Sequence, residues 1–258
     1  MSDLRYLYAI AGAENARAIA ESELRGVEGG RVTAVVEAAL SGATSTVRAS
    51  DYDEAPLNEH LRDLDWLAPR AAAHQEVNGR LHELLDAVVP VSFGAIYRDD
   101  DGVRALLRSR AGELAERLAS LRGRSEWIVS IERDAGRPSE SDALGALERE
   151  IAGAPPGRAF LLGKRREEVV RDERRERDAT IAAVAEAAVG TIAERVYREP
   201  LIEGAETPAV ARFSVLVPRD RQPDLASAVR ELERSHEGGG YRVRLSGPWP
   251  AYRFGGLE

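Results

Sequence analysis

The chain contains no cysteine, which excludes disulfides, thiolate nucleophiles and cysteine-ligated metals together. Lys164 is its only lysine, so Schiff-base and phosphate-loop chemistry have almost nothing to work with. No apolar run approaches the roughly 18 residues that span a bilayer. The opening Ser2-Asp3-Leu4-Arg5 lacks the apolar core of a signal peptide, and a soluble, cytoplasmic protein is expected. A formal net charge of −8 and a pI near 5.3 argue against nucleic acid as the main partner. No Gly-x-Ser-x-Gly elbow occurs. Gly238-Gly239-Gly240 lies between a predicted helix and a predicted strand, the wrong order for a phosphate cradle.

Histidine is scarce too, with His60, His74, His82 and His236. His74 and His82 stand eight apart on one predicted helix, not at the i,i+3 or i,i+4 spacing that chelates a metal. His74 reads as a buried, hydrogen-bonded histidine on the inner side of that helix. Carboxylates are plentiful but sit in mixed-charge helices rather than in apolar pockets that would tune a pKa. These features predict a protein that is not an enzyme, with no catalytic residues, no cofactor and no metal.

What the sequence does hold is alternation and helical periodicity enough for two modest domains. Leu4, Tyr6, Tyr8 and Ile10 alternate as one face of a strand. Val32 to Ala39 reads as a central strand and Thr44 to Ala49 as its hairpin partner, with Ser41-Gly42 as the turn. Leu57, Leu61 and Leu64 recur at helical spacing. Asp65 is expected to cap a helix whose stripe is Ala71, Val77, Leu81, Leu84 and Val88, with Pro69 in its first turn. Residues 89–97 read as a strand, and Val103 to Leu121 as one amphipathic helix ending near Gly123. Beyond a boundary placed at 123/124, Trp127 to Ile131 is a strand. A short helix starts at Ser139 or Ser141, and a long one covers roughly 158–196. Strands at Tyr197 to Ile202, Val210 to Val217 and Tyr241 to Leu245 surround a helix bearing Leu225, Val229 and Leu232. The expected class is α+β with two domains, residues 1–123 and 124–258, the second in the β-α-β-β-α-β order of a ferredoxin-like fold.

Within the long helix, positions 164–178 carry seven basic and six acidic residues. Pairs such as Glu167–Arg171 and Glu173–Arg177 stand at i,i+4, and a helix polar all round is expected to project into solvent.

The chain's last stretch is Gly247-Pro248-Trp249-Pro250-Ala251-Tyr252-Arg253-Phe254. Proline lacks a ladder donor, so the preceding strand is expected to stop at Leu245 and give way to a stiff, extended arm. Its aromatics read either as a staple onto the core or as an anchor for a partner. The segment resembles the closing motif of the gas vesicle accessory proteins of the F/L family. Four earlier stretches agree in order: Tyr6-Leu7-Tyr8-Ala9-Ile10; Trp66-Leu67 with His74 and Val77; Val89-Pro90-Val91-Ser92-Phe93-Gly94-Ala95-Ile96-Tyr97; and Gly123-Arg124-Ser125-Glu126-Trp127. Ala95 stands where the family more usually has Thr, and Ala251 where it has a second Pro.

The resemblance implies a two-domain accessory protein of gas vesicle formation, in the cytoplasm and associated with gas vesicles. It implies as partners the small hydrophobic shell protein and other accessory proteins, with no nucleic acid and no membrane span. The motif residues Trp66, His74, Pro90, Phe93, Gly94, Glu126, Gly247, Pro248, Trp249, Pro250, Tyr252 and Phe254 become the interaction candidates. Two rivals stand beside it: a ferredoxin-like regulatory module binding a small molecule or peptide, and an enzyme using carboxylates. A formed apolar pocket with converging polar groups favours the rivals. An open sheet edge beside Trp249 favours the adapter.

Overall fold

A computed structural model describes residues 3–133, 142–201 and 209–257. Contacts group the chain into two compact units. The first is Met1–Trp127 with Leu216–Arg219 and Gly247–Glu258; the second is Ile128–Val215 with Asp220–Ser246. The grouping interleaves segments where the sequence reading draws a single boundary at 123/124.

In the first unit β1 (Asp3–Gly12) leads through a 3-10 turn into α1 (Ala16–Glu21), then β2 (Thr33–Glu37) and β3 (Leu40–Arg48). Three helices follow, α2 (Ala49–Tyr52), α3 (Glu54–His60) and α4 (Leu64–Leu84). Next come β4 (Val89–Pro90), β5 (Ile96–Tyr97), α5 (Asp100–Ser109) and α6 (Ala111–Leu121). The sheet order is β2-β3-β1-β4, with β5 also paired to β1, so β1 is central. Its pairing with β3 is antiparallel and shifts register between Leu7 and Ala9. That bulge corrects the expected single face, because an extra residue reverses the alternation beyond it. Tyr6 and Tyr8 face a core with Ile19, Tyr52, Val77 and Leu81. Ile10 turns to the opposite core beside Leu7, Val103, Leu107, Leu114 and Leu118. Helix α4 therefore covers one face of the sheet, and α5 with α6 covers the other.

Other expectations shift for local reasons. The β2–β3 turn falls at Ala38-Ala39, with Ala38 at φ 51°, not at Ser41-Gly42; those residues lie inside β3, opposite Ala11 and Ile10. Asp63, not Asp65, caps α4, its carboxylate accepting from the Asp65 and Trp66 amides. Pro69 is consequently the sixth helical residue, past the first turn, and removes the bond that would reach the carbonyl of Asp65. Residues 89–97 are two short strands broken by a turn at Gly94, whose φ of 89° suits glycine. The expected helix over 103–121 breaks at Arg110 into α5 and α6.

The second unit takes most of β6 (Arg124–Arg133), then α7 (Asp142–Ala152), α8 (Pro156–Gly190) and β7 (Arg195–Arg198). It continues with most of β8 (Ala209–Pro218), α9 (Gln222–Glu237) and the start of β9 (Tyr241–Trp249). Its sheet order is β7-β8-β6-β9. Buried side chains from the sheet (Val129, Ile131, Phe213, Val215, Val243), α8 (Ile181, Ala185, Val189) and α9 (Leu225, Val229, Leu232) supply its core. Expected helix starts at Ser139 or Ser141, and the strand end at Ile202, lie outside the described residues.

The charged span of α8 is largely exposed between Lys164 and Arg177, as its composition dictates. Its last acid is not solvent-borne, however. Asp178 accepts from the Arg133 guanidinium and, at 2.9 Å, from the Tyr241 hydroxyl, fixing α8 to β6 and β9. Burial first, then Asp178, pushes the Tyr241 phenol up to about 12. Strand β9 also departs from expectation: it runs through Pro248 to Trp249 instead of stopping at Leu245. Pro248 is exposed, on the last strand of the sheet order, a position where a missing donor is tolerated. A single helical turn, α10 (Tyr252–Gly255), then replaces the extended arm.

Candidate functional site

The motif residues gather in two clusters of the first unit. The first centres on Tyr6, which β1 buries against α4. The Tyr6 hydroxyl stands 2.9 Å from His74 Nδ1, and the amide of Gly94 donates to it at 3.1 Å. The Asn78 amide nitrogen stands 3.1 Å from His74 Nε2, one helical turn on. Because Asn78 donates to Nε2, the neutral ring carries its proton on Nδ1 and donates it to Tyr6 Oη. Phe93 presents its ring edge-on to Tyr6 at 5.8 Å and to His74 at 5.6 Å. Trp66 lies farther out and half-buried, stacked on His60 at 4.5 Å with the Arg70 guanidinium 4.1 Å over its ring.

Burial governs the electrostatics here. It lowers His74 to about 4, against a smaller opposing effect of the Val91 backbone. It raises the Tyr6 phenol well above its ordinary value, and Tyr8 as well. Toward the end of α4, His82 is also lowered to about 4, by burial and then by the Arg219 charge, Glu83 opposing. His82 Nε2 meets Ser125 Oγ at 2.9 Å, while Arg219 donates to the carbonyls of His82 and Leu85 at 2.9 and 3.0 Å. Both imidazoles are thus buried and held neutral, with His74 between Tyr6 and Asn78 and His82 against Ser125.

The second cluster is the terminal arm with its receiving groups. The Glu126 carboxylate is only 5% exposed and accepts from the Arg253 amide at 2.8 Å. At Gly247, φ is 142° and an added Cβ would lie 2.8 Å from the Trp127 ring, so no larger residue fits. The Tyr252 hydroxyl donates to Gln75 at 3.2 Å, and burial then the Glu126 charge raise its pKa strongly. Phe254 packs on the α5–α6 core. Pro90 is buried in β4, and its carbonyl accepts from the Leu257 amide at 2.8 Å; Leu257 in turn accepts from Ser92 at 2.9 Å. Pro250 is buried, Pro248 exposed and Trp249 half-buried. The arm is thus woven into the first unit from both sides.

Sequence reasoning missed Asn78, Gln75 and Arg117, the last donating to the carbonyls of Gly255 and, at 3.1 Å for the former, Gly256 as well. Helical spacing from His74 pointed to Asn78; nothing local marked Arg117. Among the described residues no group of three or more His, Asp or Glu side chains is placed to hold a metal ion. Among them, too, no helix is long and apolar enough to cross a membrane. A shallow pocket of about 300 Å³ is lined by Ser22, Leu24, Arg80, Glu83 and Leu84, none of them a motif residue.

Known proteins resemble this chain over most of its length. Gas vesicle protein L of Streptomyces sp. (strain CB03234) is 31% identical over 222 residues, 84% of this chain and 80% of that protein. Gas vesicle protein L2 of Halobacterium salinarum is 26% identical over 273 residues, 98% of this chain and 92% of that one. The crystal structure of gas vesicle protein GvpF from Anabaena sp. PCC7120 matches all of this chain and 98% of its own with a TM-score of 0.71 at 17% identity. GvpF from Microcystis aeruginosa matches with 0.67 at 19%, each chain wholly covered. The mixed helix-and-sheet fold is shared with both, and these relatives bear gas vesicle protein names, not enzyme names. A family model described as gas vesicle synthesis protein GvpL/GvpF matches residues 4–255, and the chain belongs to that family.

Proposed function

We propose that this protein is a non-enzymatic accessory factor of gas vesicle formation that binds the small hydrophobic shell protein and assists its nucleation or assembly. It acts in the cytoplasm beside other accessory proteins. The observation that carries the reading is β9, the last strand in the order β7-β8-β6-β9. Along it Tyr241 and Val243 are buried, Leu245 is half-buried, and Arg242, Arg244 and Ser246 are exposed. An edge strand with one apolar face accepts an extended segment by backbone pairing, the means by which a soluble protein holds a strand-forming, aggregation-prone subunit. In this reading the Gly247–Phe254 segment is a staple that fixes the end of β9, and its aromatics act by packing rather than by touching the shell protein.

The same reading takes the chain as two domains, 1–123 and 124–258, the second ferredoxin-like with its terminal arm lent to the first. The sheet order supports this: numbering β6 to β9 as 1 to 4 gives 4-1-3-2, which suits β-α-β-β-α-β connectivity. Fold alone does not assign function.

Hydrogen exchange on the full chain, with and without shell protein supplied as a solubilised peptide, tests the proposal. Slowed exchange at 241–246 is expected on mixing. No complex, or protection confined to other strands, overturns it.

A further inference from the structure

Among the described residues, the three most exposed large apolar side chains, Leu64, Leu161 and Phe160, fall at two places, with Leu61 beside the first. At the α3–α4 corner, Leu61 is 40% and Leu64 75% exposed. The fifteen residues from Asp51 to Asp65 that carry them hold six acids and one base, Arg62. Asp51 pairs with Arg48, and Asp53 and Asp63 cap helices; Glu54, Glu59 and Asp65 are exposed around the leucines. In the second turn of α8, Phe160 is 64% and Leu161 66% exposed. Residues 157–166 around them hold four bases and no acid. Arg158 and Arg166 are held by Glu150 and Glu148 of α7; Lys164 lies 5.2 Å over the Phe160 ring, and Arg165 is exposed. With those two arginines neutralised and Glu167 and Glu168 exposed on the next turn, the cations left beside Phe160 and Leu161 are Lys164 and Arg165. Large exposed apolar side chains with charges at their margin are the anatomy of a docking patch.

We propose that the two patches are halves of one contact between copies of this chain: Phe160 and Leu161 of one copy seat on Leu61 and Leu64 of another. The occupant of each patch is therefore a second copy. Apolar side chains meet apolar side chains, and Lys164 and Arg165 face Glu59 and Asp65, a pairing of signs that steers encounter and fixes orientation. Because the halves are different surfaces, the contact is heterologous, and each copy that joins leaves one half free for the next. Such a contact produces open-ended or ring assembly instead of a closed two-fold dimer. This inference concerns the protein alone and stands or falls independently of shell-protein binding.

Sedimentation velocity on the full chain, from about 1 to about 200 μM, tests it with two variants. Both substitutions, Phe160→Asp and Leu64→Asp, fall on exposed positions, and circular dichroism is to be run on each as a check of folding. Wild type is expected to grow from monomer to dimer and larger species with concentration, and to shrink in about 0.5 M salt, where the screening length falls to about 4 Å. Each variant alone is expected to remain a monomer. Mixed one to one, they are expected to form a dimer that grows no further, since the pair keeps one complete contact. A wild type that is monomeric throughout, variants that still associate alone, or a mixture that stays monomeric overturns the proposal.

Discussion

The Tyr6–His74 cluster and the charged span of α8 are both polar, yet they play opposite parts. Around Tyr6, a few polar atoms are enclosed by aromatic rings, and each ring nitrogen of His74 faces a partner. In α8, thirteen charged side chains between Lys164 and Asp178 stand mostly in water. Removing one partner from an enclosed network leaves others unsatisfied in a poorly solvated place, whereas water replaces a lost partner at the surface. Stability therefore resides in the small polar cluster, not in the charge-rich helix. Of the motif residues, His74, Pro90, Glu126 and Pro250 are buried, Pro248 is exposed and the others are half-buried.

The comparison is broken most directly at Tyr6. Tyr6→Ala removes a fully buried ring and strands both His74 and the Gly94 amide. A loss of about 4–5 kcal/mol is expected in urea unfolding of the first unit. A loss under about 1 kcal/mol would show the cluster to be an accessory to packing.

Acid probes the same cluster without mutation. His74 and His82 fall to about 4 in the folded chain, below the ordinary 6.5. Neutral imidazole is thus favoured by folding. This contribution is fully present above pH 6.5, is lost as pH falls from 6.5 to about 4, and is flat below that. Each histidine accounts for up to about 3 kcal/mol over the window. Urea midpoints measured from pH 7.5 to 4.5 are expected to fall, and His74→Gln is expected to flatten that slope. An unchanged slope in the variant would remove His74 from the account.

Gly247→Ala comes next. The left-handed φ and the Trp127 ring leave no space for a methyl group, and about 2–3 kcal/mol is expected to be lost in thermal or urea melts. The smallest effect is expected from Arg174→Glu with Arg175→Glu. Both side chains are exposed, and the change in stability should stay within about 1 kcal/mol. By contrast Asp178→Ala, at the end of the same span, should be felt, because it releases Arg133 and Tyr241. Equal effects at 174–175 and at 178 would erase the contrast between the exposed helix and its buried end.

Particular residues show what the sequence made legible. Element types came through periodicity: β1 is a strand and α4 a helix that buries Val77 and Leu81 of the expected stripe, whereas Leu84 is half exposed at its last turn and Val88 lies beyond its end. His74 was readable as a buried histidine because it fell on the inner side of that stripe. Features set by a single backbone choice were not readable. The bulge at Leu7/Ala9 sends Ile10 to the other face, and alternation alone cannot reveal one inserted residue. The cap at Asp63 rather than Asp65 was a choice between two equivalent acids two positions apart. The terminal segment was misjudged in shape because proline was taken to end β9, although a strand at the margin of a sheet tolerates it. Long-range partners such as Arg117 with Gly255 leave no local signature, being more than a hundred residues apart.

In the proposed function the motif clusters hold the fold while the β9 edge holds the partner. A quantitative pull-down of solubilised shell protein tests it most directly, using wild type, His74→Gln and Leu245→Lys. A lysine on the apolar face of an edge strand blocks added strands, and melting curves give the folded fraction of each variant. Normalised to folded protein, His74→Gln is predicted to bind as wild type does, and Leu245→Lys to lose most of its binding. Loss in His74→Gln with full binding by Leu245→Lys would contradict the account.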